Sequence, residues 1–116
     1  MNGGSAENAG VIFCRQKHLC TILVSMKLII KYVAKPQHKD ALEKELRSII
    51  LITRKAHGCV QCDLHTSMDD KLVFFFDQLW DSEENMQKYL KREHMLEFAR
   101  KTELMIDIVH ICSAEH

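Results

Sequence analysis

The side chains best suited to chemistry in this sequence are His94, Tyr89 and Gln78. An imidazole exchanges readily between its neutral and protonated forms near neutral pH, so His94 could serve as a general base. Tyr89 and Gln78 carry hydrogen-bond donors that could steady an oxyanion once a substrate has lost a proton. If the protein is an enzyme, these three residues are the candidates for its catalytic group.

A second group of side chains could bind a flat aromatic ligand: Trp80, Tyr32, Met86 and Phe98. Such a ligand requires an apolar pocket with a few polar groups. A purely structural interpretation is also open. Trp80 would end a strand beside three phenylalanines, Met86 and Tyr89 have the spacing of a buried helix face, and His94 could cap a helix junction.

Two of the five cysteines form a Cys59-x-x-Cys62 pattern that could hold a metal ion or a redox dithiol. We expect neither, because residues three apart in a regular strand point to opposite faces. Redox pairs of this kind also owe their low thiol pKa to a helix start, and zinc needs ligands that converge. The odd number of cysteines favours buried or reduced thiols in a cytoplasmic protein, and we expect no metal site at this pair.

The composition limits the class of protein. A chain of 116 residues with 47% apolar residues has room for one domain with a real core. Sixteen basic residues balance sixteen acidic ones, so the protein has no net positive charge that would attract nucleic acid or an anionic membrane. Residues 11–25 are too short and too charged for a spanning helix or a signal peptide. We expect residues 1–25 to be a flexible or non-native extension and residues 26–113 to form the domain.

The elements that must position the candidate side chains can be predicted from hydrophobic periodicity. Strand-like segments occupy residues 27–34, 59–66, 71–80 and 105–112, whereas residues 37–56 have the three- and four-residue apolar spacing of a helix. Asp81 and Ser82 are good caps for a second helix, and a further helical piece follows it. The order βαββαβ predicts an α+β, ferredoxin-like fold, with a four-stranded antiparallel sheet and helices on one face.

The third predicted strand indicates a second layer. It offers Leu72, Val73, Phe74, Phe75 and Phe76 without a break, so both faces of the sheet would be apolar there. A sheet that is apolar on both sides must be covered on both sides. The simplest cover is the same face of another copy, which predicts a homodimer.

Several of these segments together resemble a known family. His57-Gly58-Cys59 enters a strand, a hairpin and a Phe-rich strand follow as far as Trp80, and Asp81-Ser82-Glu83 opens a helix leading to His94 and Phe98. This arrangement resembles the antibiotic biosynthesis monooxygenase family of dimeric α/β barrels over residues 26–113. The resemblance implies a homodimeric monooxygenase that oxidises a small aromatic or quinol-like ligand with dioxygen, without metal or flavin.

The departures from the family pattern leave a second interpretation open. Residues 56–58 are Ala-His-Gly where the family usually has Glu-Pro-Gly, Gln78 replaces a common acid, and Tyr89 stands at the first of two usual histidines. The alternative is therefore a non-catalytic, ligand-binding or stress-related dimer. Thr102 stands where the heme-degrading branch has its axial histidine, and Tyr32 is near the position of its asparagine, so heme chemistry is not expected.

Overall fold

Four antiparallel strands form one sheet in the computed structural model, which describes residues 25–115. We label them β1 (Met26–Ala34), β2 (Cys59–Thr66), β3 (Val73–Trp80) and β4 (Ile106–Glu115). Their spatial order is β2-β3-β1-β4, so the first and third strands lie in the centre. This is the sheet of the ferredoxin-like fold, and the predicted α+β class is confirmed.

Three α-helices connect the strands within these residues: α1 (Lys39–Thr53), α2 (Glu83–Leu90) and α3 (Glu93–Thr102). A 3-10 turn, Pro36–His38, leads into α1, because proline fits the first turn of a helix, where its missing N–H is not needed. Ser82 caps α2 as predicted, its Oγ accepting from the Asn85 amide at 3.1 Å. None of the helices in residues 25–115 is long and apolar enough to cross a membrane.

Three elements begin or end at residues that differ from the predicted ones. The third strand begins at Val73 rather than at residue 71, because the Asp70 carboxylate accepts from the Leu72 amide at 2.9 Å and holds a turn. Helix α1 ends at Thr53, and the chain then turns through Gly58, whose φ of 91° suits glycine. Strand β4 continues to Glu115, because it pairs with the whole of β1 as far as Met26.

The core lies between the helices and one face of the sheet. Every second side chain of β1 is buried there: Met26, Leu28, Ile30, Tyr32 and Ala34. Their cross-strand partners on β3 are Trp80, Gln78, Phe76 and Phe74, and all four are fully buried. Helix α1 adds the apolar stripe predicted from its spacing, with Leu42, Leu46, Ile49 and Ile50 buried. The candidate side chains of β3 therefore belong to this helix-covered layer.

The other face of the sheet, which we call the open face, carries the alternate residues. Val73, Phe75 and Leu79 of β3 lie there, next to Ile29 and Val33 of β1. The open face also holds an ion pair in which Lys27 Nζ lies 2.7 Å from Asp77 Oδ1. Val73 is buried and Phe75 is half-buried, and the apolar residues of this face alternate with Lys31, opposite Phe75, and Asp77, opposite Ile29.

The prediction that Cys59 and Cys62 point to opposite faces was wrong. The register shifts between Cys59 and Gln61, so that Cys59 pairs with Trp80 and Cys62 pairs with Gln78. One extra residue, Val60, is absorbed as a β-bulge, and both cysteines consequently lie on the helix-covered face. The Cys62 thiol is buried, and this burial raises its pKa to about 12. Cys59, Cys62 and Cys112 are free thiols.

Candidate active site

A chain of hydrogen bonds links one residue from each helix. Thr53 is the last residue of α1, and its Oγ1 lies 2.6 Å from the hydroxyl of Tyr89 in α2. The same hydroxyl lies 3.1 Å from Nε2 of His94 in α3. Thr53 and Tyr89 are buried, whereas His94 is half-buried. The chain therefore runs from the core to a histidine that solvent can still reach.

Aromatic contacts hold the same histidine from a second direction. The rings of Trp80 and Tyr89 have centroids 5.2 Å apart and planes tilted by 37°. The rings of Tyr89 and His94 are also 5.2 Å apart and meet edge to face, at 63°. The structure thus brings Trp80, Tyr89 and His94 together at one end of the helix-covered layer.

Gln78 lies beside Trp80 on the same face of β3, because the two residues are two apart in a strand. The indole Nε1 of Trp80 donates to Gln78 Oε1 at 2.8 Å, and both side chains are fully buried. Gln78 Nε2 has no hydrogen-bond partner within residues 25–115. A buried donor left unpaired costs roughly 1–3 kcal/mol. Such a donor is well suited to a ligand that brings an acceptor.

Burial also sets the protonation of the tyrosines. It raises the pKa of the Tyr89 hydroxyl, and the hydrogen bond with Thr53 opposes this only in part. Tyr89 is therefore neutral at physiological pH and keeps one proton to donate. Burial likewise raises the pKa of the Tyr32 hydroxyl.

The structure separates Tyr32 from the other candidates. Trp80 pairs with Met26 at one end of β1, and Tyr32 lies six residues further along the strand, opposite Phe74. Six residues of strand span about 20 Å. Met86 and Phe98 belong, with Trp80, Tyr89 and Tyr32, to one buried cluster. Within that cluster, Tyr32 lies at the end of β1 away from Trp80.

Thr53 is the site residue that sequence reasoning missed. It lies four residues after Ile49 on the buried stripe of α1, where a leucine or isoleucine would continue the pattern. A polar residue at a buried position must find partners inside the protein. That interruption of an apolar stripe is the signal that could have identified it.

A cleft of about 290 Å³ opens next to Tyr89. It is lined by Ala56, His57, Asn85, Lys88, Tyr89 and Arg92. A shallower groove of about 430 Å³ follows the charged outer face of α1 and contains none of the candidate residues. No cluster of three potential metal ligands occurs among residues 25–115.

Solved structures from several organisms share this architecture. A Pseudomonas aeruginosa protein is 31% identical, with a TM-score of 0.75, and the match covers 80% of this chain and 94% of the other. A Deinococcus radiodurans protein, provisionally named an antibiotic biosynthesis monooxygenase, is 17% identical with a TM-score of 0.76, over 78% and 91% of the two chains. A Shewanella oneidensis protein, also 17% identical, has a TM-score of 0.76 over 81% and 92%. The last two likenesses concern the fold alone.

The sequence itself matches a family as well. No protein of curated function matches the chain. The sequence profile of the antibiotic biosynthesis monooxygenases, however, matches residues 25–101, which contain α1, α2 and nearly all of α3 as well as the first three strands. The resemblance noted in the sequence is therefore confirmed, and the chain belongs to the antibiotic biosynthesis monooxygenase family.

Proposed function

We propose that this protein is a cofactor-independent monooxygenase that oxidises a small aromatic, quinol-like substrate with dioxygen. The observation that carries the proposal is the chain Thr53–Tyr89–His94, which holds a half-buried imidazole against Tyr89 in the same layer as Trp80. Membership of the monooxygenase family supports the reaction class. His94, Tyr89 and Gln78 are the proposed catalytic group, and Trp80, Met86 and Phe98 are the proposed substrate contacts.

In the proposed reaction His94 removes a proton from the substrate, leaving a carbanion whose charge is shared with a phenolic oxygen. The buried amide of Gln78 donates to that oxygen. The carbanion transfers its electron pair to dioxygen in forming a C–O bond, and the resulting peroxide takes a proton back from His94. Loss of water from the hydroperoxide leaves a carbonyl. One oxygen atom therefore enters the product and the other leaves as water. As the water leaves, the O–O bond and the remaining C–H bond at that carbon break, so the four electrons that reduce dioxygen come from the substrate, two from the carbanion and two from this C–H bond.

Oxygen uptake on a panel of quinols, measured with and without the protein, tests the proposal. With ¹⁸O₂ the product should gain one labelled oxygen atom and the released water the other. Uptake that the protein does not accelerate for any quinol, or a product without label, would contradict the monooxygenase function.

A second candidate function is a non-catalytic, ligand-binding or stress-related dimer. It is favoured by the full burial of Gln78 and Trp80, which hydrogen-bond each other, and by a cleft that reaches Tyr89 but is not lined by His94. Quinol binding that quenches Trp80 fluorescence, without oxygen uptake, would favour this function over catalysis.

We also propose that the protein acts in the cytoplasm as a homodimer, with residues 26–113 as its working domain. The apolar side chains of the open face, among them Val33, Val73 and Phe75, support self-pairing, because the described helices cover the opposite face. The expectation that residues 1–25 form an extension concerns, up to residue 24, a segment outside the described residues.

A further inference from the structure

We infer that Thr53 is a positioning residue that determines which nitrogen of His94 carries the proton and which can act as a base. The inference rests on the proposed function in one respect: it takes His94 to be the base. In all other respects it concerns which atom donates and which accepts in the chain Thr53–Tyr89–His94. The resulting tautomer of His94 can be measured without any turnover.

The direction is set at the Thr53 end. Thr53 Oγ1 lies 2.8 Å from the backbone oxygen of Ile49, one turn earlier in α1. A carbonyl oxygen has no hydrogen, so this contact is favourable only if the single Thr53 proton lies in it. Thr53 Oγ1 is then an acceptor toward Tyr89. The Tyr89 hydroxyl, 2.6 Å away, must donate its own single proton to Thr53.

The remaining bond follows from the first two. With its proton committed to Thr53, the Tyr89 oxygen can only accept in its 3.1 Å contact with His94 Nε2. Nε2 must therefore carry a hydrogen. In the neutral imidazole this leaves Nδ1 with the free lone pair, so Nδ1 is the atom that takes the substrate proton.

Two consequences concern the proposed site. Tyr89 has no proton left for a substrate oxyanion, so it orients His94 rather than stabilising charge. Gln78 Nε2, fully buried and without a partner in residues 25–115, is then the donor that remains for the oxyanion. Thr53, which touches no substrate in this scheme, acts entirely through Tyr89.

The direct test is ¹⁵N NMR of the histidine side chains in the full-length protein at a pH where His94 is neutral, with the His94 signals identified by their loss in His94→Gln. We expect Nε2 to be protonated and Nδ1 to be free. In Thr53→Val, Tyr89 loses its acceptor and should turn its proton toward Nε2, which moves the hydrogen of His94 to Nδ1. Thr53→Ser should restore the wild-type pattern.

A matched control exists in α3. The Thr102 hydroxyl is also buried and also donates to the carbonyl one turn earlier, that of Phe98, at 2.8 Å, but it is not part of the Tyr89 chain. Thr102→Val should therefore leave the His94 tautomer unchanged. Should Thr53→Val not fold, Thr53→Ala makes the same test with a smaller side chain, because it also removes the hydroxyl that accepts from Tyr89.

The inference is overturned if wild-type His94 carries its hydrogen on Nδ1, or if Thr53→Val folds and leaves the tautomer as it was. If a quinol is turned over, Thr53→Val should lower kcat roughly tenfold or more, with KM little changed, and Thr53→Ser should recover it. The predicted tautomers without turnover would uphold the role of Thr53 and contradict the proposed function instead.

Discussion

The indole nitrogen of Trp80 donates to Gln78 Oε1 at 2.8 Å, and this bond fixes the orientation of the buried Gln78 amide. An indole N–H can only donate, so the amide oxygen must face Trp80 and the NH₂ group must face away from it. The unpaired donor of this layer is thus held in place by a neighbour on the same strand.

Replacing Gln78 by methionine tests that donor. Gln78→Met keeps the length of the side chain but removes the NH₂ group, and we expect turnover to fall about 10²-fold or more, as for loss of an oxyanion donor. The melting temperature should change by only a few degrees, because the variant removes one unpaired donor and creates another at the Trp80 indole. Steady-state kinetics together with thermal melts would check this, and full turnover in Gln78→Met would remove Gln78 from the mechanism.

His94→Ala tests the proposed base. We expect turnover to fall roughly 10²-fold or more, with little change in melting temperature, since the imidazole is half-buried. His38 is a matched control because it lies far from the proposed site. It precedes the first residue of α1, about 22 Å along the helix from Thr53, and Thr53 is at the end of α1 that is linked to His94 through Tyr89. A His94→Ala protein as active as His38→Ala would exclude His94 as the base.

Charge on the open face tests the dimer. Val73 and Phe75 both face away from the helices, and Phe75→Glu should halve the mass measured by light scattering, because a buried unpaired charge costs several kcal/mol. Met68→Glu places the same charge in the exposed hairpin loop and should leave the mass unchanged. A wild-type protein that is monomeric at micromolar concentration would contradict the proposal directly.

The Cys62 thiol predicts a loss of stability at alkaline pH. Its pKa is raised to about 12 in the folded protein, from 9.0 for an ordinary thiol, so unfolding releases a proton in the range between these values. This contribution to stability is complete below pH 9 and decreases as the pH rises toward 12. Denaturant titrations should show a shallower decrease over this range in Cys62→Ser than in wild type. Equal slopes would mean that the thiol ionises as readily in the folded state.

Removing the first 25 residues tests the predicted domain boundary. If the domain begins at Met26, a chain starting there should melt within a few degrees of the full-length protein. A clearly lower melting temperature would show that the preceding segment packs on the domain.

Local sequence patterns predicted most of the fold, because its elements are amphipathic and have distinct ends. Strand β2 has the bounds that alternation predicted, Cys59–Thr66, and the Ser82 cap opens α2. The bulge at Val60 could not be predicted, since an exposed apolar residue is compatible with a regular strand as well. Thr53 was missed for a related reason: its role depends on a tyrosine 36 residues away, which only the tertiary structure brings within 2.6 Å.

The bulge at Val60 also has a consequence for chain length. By taking up one residue, it separates the spacing of the loop after α1 from the pairing of the rest of β2, so Gln61 to Thr66 keep their partners on β3. Deleting Val60 would make Cys59 the neighbour of Gln61 in a regular ladder, with Cys59 still opposite Trp80 and on the helix-covered face. Gly58 would stay next to Asp81, whose amide donates to its carbonyl at 2.8 Å. The bulge therefore accommodates one additional residue between the turn at Gly58 and Gln61 without changing the faces of Cys59 and Cys62.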